Sequence, residues 1–297
     1  LFRSEVLRTT AFRRYTRLTV PILMACTLSY LAMKAGWLAN VEASERLHNE
    51  TWLGGFARFE PSLPNMLRYA TYEVYFGTDD GRVYQPFLWT MSTEMLGSML
   101  IFVYGWQMER LKRPAWVALG LALFLYACKS YMGLFFLGAC FAVLRQRGLL
   151  VWRSRWGARA LALALVGWTA WSCAHSPDIG NDSEWRHAVR AAALVTAVHL
   201  SPDLMRWMSS RLSRLLGELS FALYLVHYVL LVTLTSHAVL WLDRRGRLDE
   251  AHAMGVFALT VVSSLLAAWV FTRVEVPLLR WVHARTEAWR LPERAAV

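Results

Sequence analysis

The sequence lacks the short motifs that mark most soluble enzyme classes. It has no GxSxG elbow, no P-loop, no GxGxxG after a strand, no HExxH and no HxxxxD pair. Enzymes that hold a metal or a nucleotide cofactor through a local motif are therefore disfavoured, and no metal site is predicted. The cysteines form no CxxC and no Cys/His cluster, so we expect buried free thiols instead of disulfides. They are Cys26, Cys128, Cys140 and Cys173.

Acidic residues are also few, with 21 Asp and Glu against 32 Lys and Arg, for a net charge of +11. Such an excess can indicate nucleic-acid binding. Here the basic residues lie mostly in alternate short loops, as in proteins oriented in a bilayer, so no nucleic-acid partner is predicted. Hydrophobic residues make up 56% of the chain, above the roughly 45–50% of soluble domains.

The hydrophobic residues come in eight blocks, which predicts an all-α bundle of about eight transmembrane helices in one domain, 1–297. The blocks cover roughly 18–39, 85–106, 114–128, 131–144, 160–174, 187–200, 215–242 and 253–274. The third and fourth are short for a span of about 20 residues. They form either a re-entrant pair or a hairpin that crosses twice, and the basic loops on both flanks favour the hairpin.

Charge predicts the orientation of these helices. The basic segment 1–17 and the tail 276–297 are expected to be cytoplasmic, so both termini lie inside. The long segment 40–86 is rich in acidic residues and is predicted to be an outer loop. We expect short interfacial helices there, capping the bundle from outside.

One acid interrupts an apolar run. Glu94 shares a helical face with Thr90, Gly97 and Ser98, which favours packing on other helices over contact with lipid. An ionisable group at such depth is costly and is usually turned toward a protein interior or a wet cavity. Glu94 is either a structural acid bonded to a neighbouring helix or an acid of an active site or substrate pathway.

The seventh run carries a second polar face. Gly217, Ser220, Tyr224 and His227 follow the spacing of one helical side, with the glycine predicted to allow close approach. His227 is either a satisfied packing residue or part of a site. A bond between His227 and Glu94 is a hypothesis, motivated by the cost of leaving either group unbonded in lipid.

Two arginines lie one helical turn apart near the start of the chain. Arg14 and Arg17 can bind phosphate through their guanidinium groups. The alternative is a basic cluster that sets topology and touches anionic lipid heads. At the other end of the chain, Glu275 is predicted to be an ion-pair partner at a helix end, and Pro277 a helix stop.

Four stretches together resemble the membrane-bound acyltransferase 3 family. They are FRRYTRLTVP, LWTMSTEMLGSMLIF, LGELSFALYLVHYVLL and RVEVP, and they occur in the family's order from about residue 12 to 277. The resemblance implies a bundle of about ten helices in a membrane, the bacterial inner membrane being the expected one. It implies transfer of an acyl group, commonly acetyl, from cytoplasmic acyl-CoA to a hydroxyl of a glycan, glycolipid or small molecule.

The resemblance also implies roles for individual residues. Arg14 and Arg17 match the RxxR associated with the acyl donor. The family's intramembrane polar positions, expected to be catalytic, fall on Glu94, Ser220, Tyr224 and His227. Family members open with two further helices, the first carrying a histidine thought to be the general base. We therefore expect the chain to be truncated, with that histidine upstream of Leu1, and His227 is not that residue.

Two other classes of function remain open from the residues alone. A transporter or flippase of an amphipathic substrate would also place Glu and His within the membrane. Against it, the two halves of the chain show no repeat and no matched helices broken by Gly or Pro. A non-catalytic membrane scaffold is the third possibility.

Overall fold

Helices make up all the regular structure that is described. The computed structural model describes residues 2–77, 81–148, 155–175 and 183–288. Within these ranges no strand occurs, which confirms the all-α prediction. The end of the predicted cytoplasmic tail 276–297 lies outside the described residues.

Thirteen helices follow one another in these ranges. They are α1 (Phe2–Lys34), α2 (Asn40–Arg46), α3 (Leu63–Arg68), α4 (Val74–Phe76), α5 (Met91–Met108), α6 (Pro114–Ala127), α7 (Gly133–Gln146), α8 (Arg155–His175), α9 (Ser183–Leu200), α10 (Pro202–Met208), α11 (Arg211–Leu230), α12 (Ser236–Asp243) and α13 (Glu250–Ala288). Short 3₁₀ segments at Leu53–Gly55 and Pro86–Thr90 and π-helical turns at Tyr69–Glu73 and Leu231–Thr235 connect some of them.

Several of these helices have the length and composition of membrane spans. Four helical stretches in the described ranges qualify, namely Thr9–Lys34, Pro86–Met108, Arg211–Asp243 and Glu250–Arg285. Helices α6 and α7 are apolar but shorter. The total of eight spans therefore stays a prediction.

The chain divides into two compact units. One, here called the polar unit, contains residues 8–95 and 216–297; the other, the hairpin unit, contains residues 1–7 and 96–215. Each has its own buried apolar side chains.

In the hairpin unit, small residues let helices approach closely. Helices α6 and α7 pack through buried Ala118 and Ala122, and a Cβ added at Gly133 would lie 2.8 Å from the Ala122 carbonyl oxygen. Helices α8 and α9 pack in the same way through buried Ala162 and Ala197. Close packing of small residues is typical of helices in membranes. It fits a re-entrant pair and a hairpin that crosses twice equally well, so the crossing stays a prediction.

In the polar unit, the segment 40–86 lies along the side of α1. Tyr15 Oη donates a hydrogen bond to the Thr71 carbonyl oxygen at 2.8 Å, and Gln85 Nε2 donates to Ser29 Oγ at 2.9 Å. From Tyr15 to Ser29, α1 rises about 21 Å. The predicted short helices are present in this segment. Its second half, through Thr71, Tyr75 and Gln85, contacts α1 over much of its length and does more than cap one end.

Two smaller predictions were wrong. Pro277 does not end the last helix, because α13 continues through it to Ala288. A proline removes one N–H donor, and long apolar helices tolerate this where neighbouring groups compensate. All four cysteines are free thiols, but only Cys26 and Cys140 are buried; Cys128 and Cys173 are exposed.

Candidate active site

An ion pair joins the first helix to the start of α5. Arg14 Nη2 lies 2.6 Å from Glu94 Oε2, and the two side chains are 27% and 43% exposed. Glu94 lies in the first turn of α5, where the positive end of the helix dipole also favours a carboxylate. The pair explains how an apolar helix keeps an acid, because the carboxylate and the guanidinium compensate each other.

The contact with Glu94 does not engage every hydrogen-bond donor of Arg14. Its Nε is buried and has no hydrogen-bond partner in the structure. A buried donor without a partner carries a desolvation penalty of about 1–3 kcal/mol. The Arg14–Glu94 pair is therefore a polar centre with hydrogen-bonding capacity to spare.

Tyr224 ties α11 to the segment immediately before α5. Its hydroxyl donates to the Phe87 carbonyl oxygen and lies 3.1 Å from Thr90 Oγ1. Thr90 precedes Glu94 by one helical turn, so the phenol and the carboxylate belong to one neighbourhood. The structure thus brings Tyr224 to the Glu94 region, where the sequence had suggested His227 as the partner.

His227 lies on the same helix, one turn beyond Tyr224. Its ring stacks on Phe87 with 4.8 Å between centroids and an angle of 16°. His227 Nδ1 lies 3.1 Å from the Leu223 carbonyl oxygen. A carbonyl can only accept, so Nδ1 carries the hydrogen in this bond, and Nε2 of the neutral ring keeps a lone pair.

The hypothesised bond between His227 and Glu94 does not form. The described residues show no bond between them: His227 Nδ1 bonds to the Leu223 carbonyl oxygen of its own helix, and Glu94 Oε2 accepts from Arg14 Nη2. The two groups are linked indirectly, because Phe87 contacts the imidazole ring and Tyr224.

Ser220 and Gly217 are not brought into this cluster. The exposed Ser220 donates to the Gly217 carbonyl oxygen at 2.8 Å, within the same helix. Gly217 has open space where a Cβ would be, so the predicted close approach there was wrong. The four residues do lie on one helix at the predicted spacing. Among them, Tyr224 and His227 contact other elements of the described structure.

The two arginines of the RxxR have different surroundings. Arg14 is half-buried and bonded to Glu94, whereas Arg17 is exposed and lies near enough to Glu275 for electrostatic attraction. The predicted ion pair of Glu275 at a helix end is not seen among the described residues, and α13 continues past Glu275 to Ala288. Of the two guanidinium groups, that of Arg17 is the more accessible.

A cavity of about 530 Å³ lies in the polar unit, between the segment 40–86 and the start of α5. Its lining includes aromatic residues, Arg58 and Ser92, which is two residues before Glu94. It also includes Glu73, whose side chain is bonded to Arg68 at 2.7 Å. Cavities of this size with a few polar groups are typical of small-molecule sites.

The sequence did not single out these cavity residues. The only signal was the number of aromatic side chains in a long loop, which does not show which of them face one space. No group of three metal-ligating side chains occurs among the residues that the structure describes.

Comparison with known proteins identifies the class. The family model of the acyltransferase 3 family, described as an acyltransferase domain, matches residues 1–273. Searches of curated proteins and of solved structures gave no match. The chain belongs to the acyltransferase 3 family, and its long apolar helices make it an integral membrane protein.

Proposed function

We propose that the protein transfers an acyl group, most simply acetyl, from cytoplasmic acyl-CoA to a hydroxyl of a glycan, glycolipid or small molecule. The observation that carries the proposal is the Arg14–Glu94 pair beside Tyr224, in a chain of an acyltransferase family. A charged pair retained among apolar helices is more often functional than structural.

The chemistry needs few groups. The acceptor oxygen attacks the thioester carbonyl carbon, and its hydroxyl proton passes to a base. The C–S bond then breaks, and the CoA thiolate takes up a proton. Enzymes promote such a step by positioning a proton acceptor and by hydrogen-bonding the developing oxyanion.

We assign the acceptor hydroxyl to the cluster around Glu94. The Glu94 carboxylate, oriented by Arg14, and His227 Nε2 are both hydrogen-bond acceptors for a hydroxyl. Tyr224 fixes the start of α5 and so the position of Glu94. The cavity lined by Arg58 and Ser92 is the proposed acceptor approach.

We assign the acyl donor to Arg17. Arg14 pairs with Glu94, whereas the Arg17 guanidinium is exposed, so Arg17 is the more accessible arginine of the RxxR for the CoA phosphates. This requires the start of α1 to face the cytoplasm, as the basic segment predicts, in the bacterial inner membrane or its equivalent. Ser220 has no assigned contact with either substrate.

The test uses the purified full-length protein in detergent with radiolabelled acetyl-CoA and cell-envelope glycans and lipids. We expect label on the acceptor in an ester that mild alkali releases, and loss of that label with Glu94→Gln. The matched control is Glu45→Gln, an exposed acid on α2. Movement of an amphipathic substrate across proteoliposomes without covalent label would refute acyl transfer.

A further inference from the structure

A second cavity, of about 420 Å³, lies in the hairpin unit and is chemically unlike the first. It is formed by α6, α7 and α9, and aliphatic side chains such as Leu119, Leu123 and Leu134 make up most of its wall. Its polar residues belong to the turn between α6 and α7 or adjoin it, and Lys129 and Ser130 are among them. The cavity is therefore an apolar groove with a cationic end.

Among the described residues, Lys129 has no partner for its charge. The side chain is exposed, and no ion pair or side-chain hydrogen bond joins it to the described part of the chain. Its backbone has φ +54°, a left-handed conformation that lysine rarely adopts. The turn thus presents an ammonium group at a position where glycine would be less strained.

The lengths of the two helices decide where this ammonium lies. Helices α6 and α7 have 14 residues each, or about 21 Å. The hydrocarbon core of a bilayer is about 30 Å thick. The charge pattern predicts that the other end of the hairpin, with Lys112 and Arg147, lies at a membrane surface. A hairpin of this length then leaves its tip short of the opposite surface.

The Lys129 ammonium group at that depth requires an anionic partner, because an unpaired charge in the membrane is costly. A lysine below the head-group layer can extend its side chain toward lipid phosphates, or the bilayer can thin around it. A groove with apolar walls next to that cation accommodates the hydrocarbon chain of the same lipid molecule.

We propose that the groove between α6, α7 and α9 binds one anionic phospholipid, with an acyl chain along the apolar wall and the phosphate on Lys129. The charge of Lys129 selects the anionic head group, and the groove selects a chain-bearing ligand over a free anion. This inference is independent of the acyltransferase proposal, because its groove contains none of the residues assigned there.

The test is native mass spectrometry of the delipidated full-length protein in detergent. Phosphatidylglycerol and phosphatidylcholine with identical chains are added separately. We expect one phosphatidylglycerol to bind at least tenfold more tightly than phosphatidylcholine. Lys129→Gln should abolish the preference, and Lys129→Arg should keep it.

Two further variants separate the groove from general surface charge. Lys112→Gln removes a charge at the other end of the hairpin and should leave the preference unchanged. Ala188→Leu narrows the groove and should weaken binding of both lipids. Far-ultraviolet circular dichroism checks that each variant is folded.

The proposal is overturned if wild-type protein does not distinguish the two lipids, or if Lys129→Gln and Lys112→Gln behave alike. It is also overturned if inorganic phosphate displaces the lipid at the same concentration, because the site would then recognise an anion and not a lipid.

Discussion

The polar unit and the hairpin unit bury different chemistry. In the polar unit, hydrogen bonds join elements far apart in sequence, such as Thr19 Oγ1 to Tyr75 Oη at 3.0 Å. In the hairpin unit, neighbouring helices pack through alanines and through Gly133. In the polar unit, side-chain hydrogen bonds between distant segments determine which elements pack together. In the hairpin unit, small side chains determine how closely the helices approach.

Loss of the Tyr224 hydroxyl in the polar unit should cost more than loss of the Tyr126 hydroxyl in the hairpin unit, for which the described residues supply no hydrogen-bond partner. Tyr224→Phe removes the contacts to Phe87 and Thr90, which leaves a buried acceptor unpaired at a cost of about 1–3 kcal/mol. We expect a fall of about 30-fold in the rate of acetyl transfer. The control Tyr126→Phe, in the hairpin unit, should keep the wild-type rate.

Substitution of Arg17 tests the assignment of the acyl-CoA site within the polar unit. Arg17→Gln should raise KM for acetyl-CoA about tenfold with little change in kcat, since a lost charged hydrogen bond costs about 1.5–3 kcal/mol. Arg13→Gln removes the same charge from the same helix and should leave KM unchanged. Equal effects of the two substitutions in steady-state kinetics would show that only general charge matters.

Packing volume should dominate in the hairpin unit. A Cβ at Gly97 would lie 2.6 Å from Phe135 Cε2, whereas at Gly105 nothing lies within 4 Å. Both glycines are in α5, so Gly105→Ala should raise stability by up to about 1 kcal/mol. Gly97→Ala should lower it by about 1–3 kcal/mol through overpacking. Thermal unfolding in detergent compares them, and equal shifts would contradict the close packing at Gly97.

The smallest expected effect concerns the start of α13. The backbone N–H of His252 donates to Asp249 Oδ1 at 2.9 Å, and together with the His252 side chain it lowers the pKa of that carboxyl group. A lowered pKa stabilises the fold above the ordinary aspartate value of about 3.9. This contribution is lost as the pH falls through the folded-state pKa.

Asp249→Asn tests this, because asparagine can cap the helix without titrating. We expect the melting temperature of the wild type to fall more than that of the variant between pH 6 and pH 3. Parallel curves would show that Asp249 does not contribute.

Local patterns predicted the helical fold well. The apolar runs and the charge of their loops were enough to place most helices, because burial in lipid requires continuous apolar sequence. Helical spacing put Tyr224 and His227 on one face, and the structure places Tyr224 against Thr90, one turn before Glu94. By contrast, Gly217 and Ser220 fit the same stripe but remain exposed, because spacing identifies a face and not what covers it.

Long-range contacts could not be predicted in this way. Arg14 and Glu94 are 80 positions apart, and the sequence suggested phosphate as a partner for Arg14 and His227 as a partner for Glu94. The path of the segment 40–86 along α1 was missed for the same reason. Its contacts are made by single tyrosine and glutamine side chains, which leave no periodic signal.

The central claim is that Arg14 acts through Glu94. A double-mutant cycle of Arg14→Gln and Glu94→Gln, read out as kcat for acetyl transfer, tests it most directly. The account predicts that each single variant loses about 100-fold or more and that the double variant loses no more than the worse single one. Independent, multiplicative losses in the double variant would contradict it.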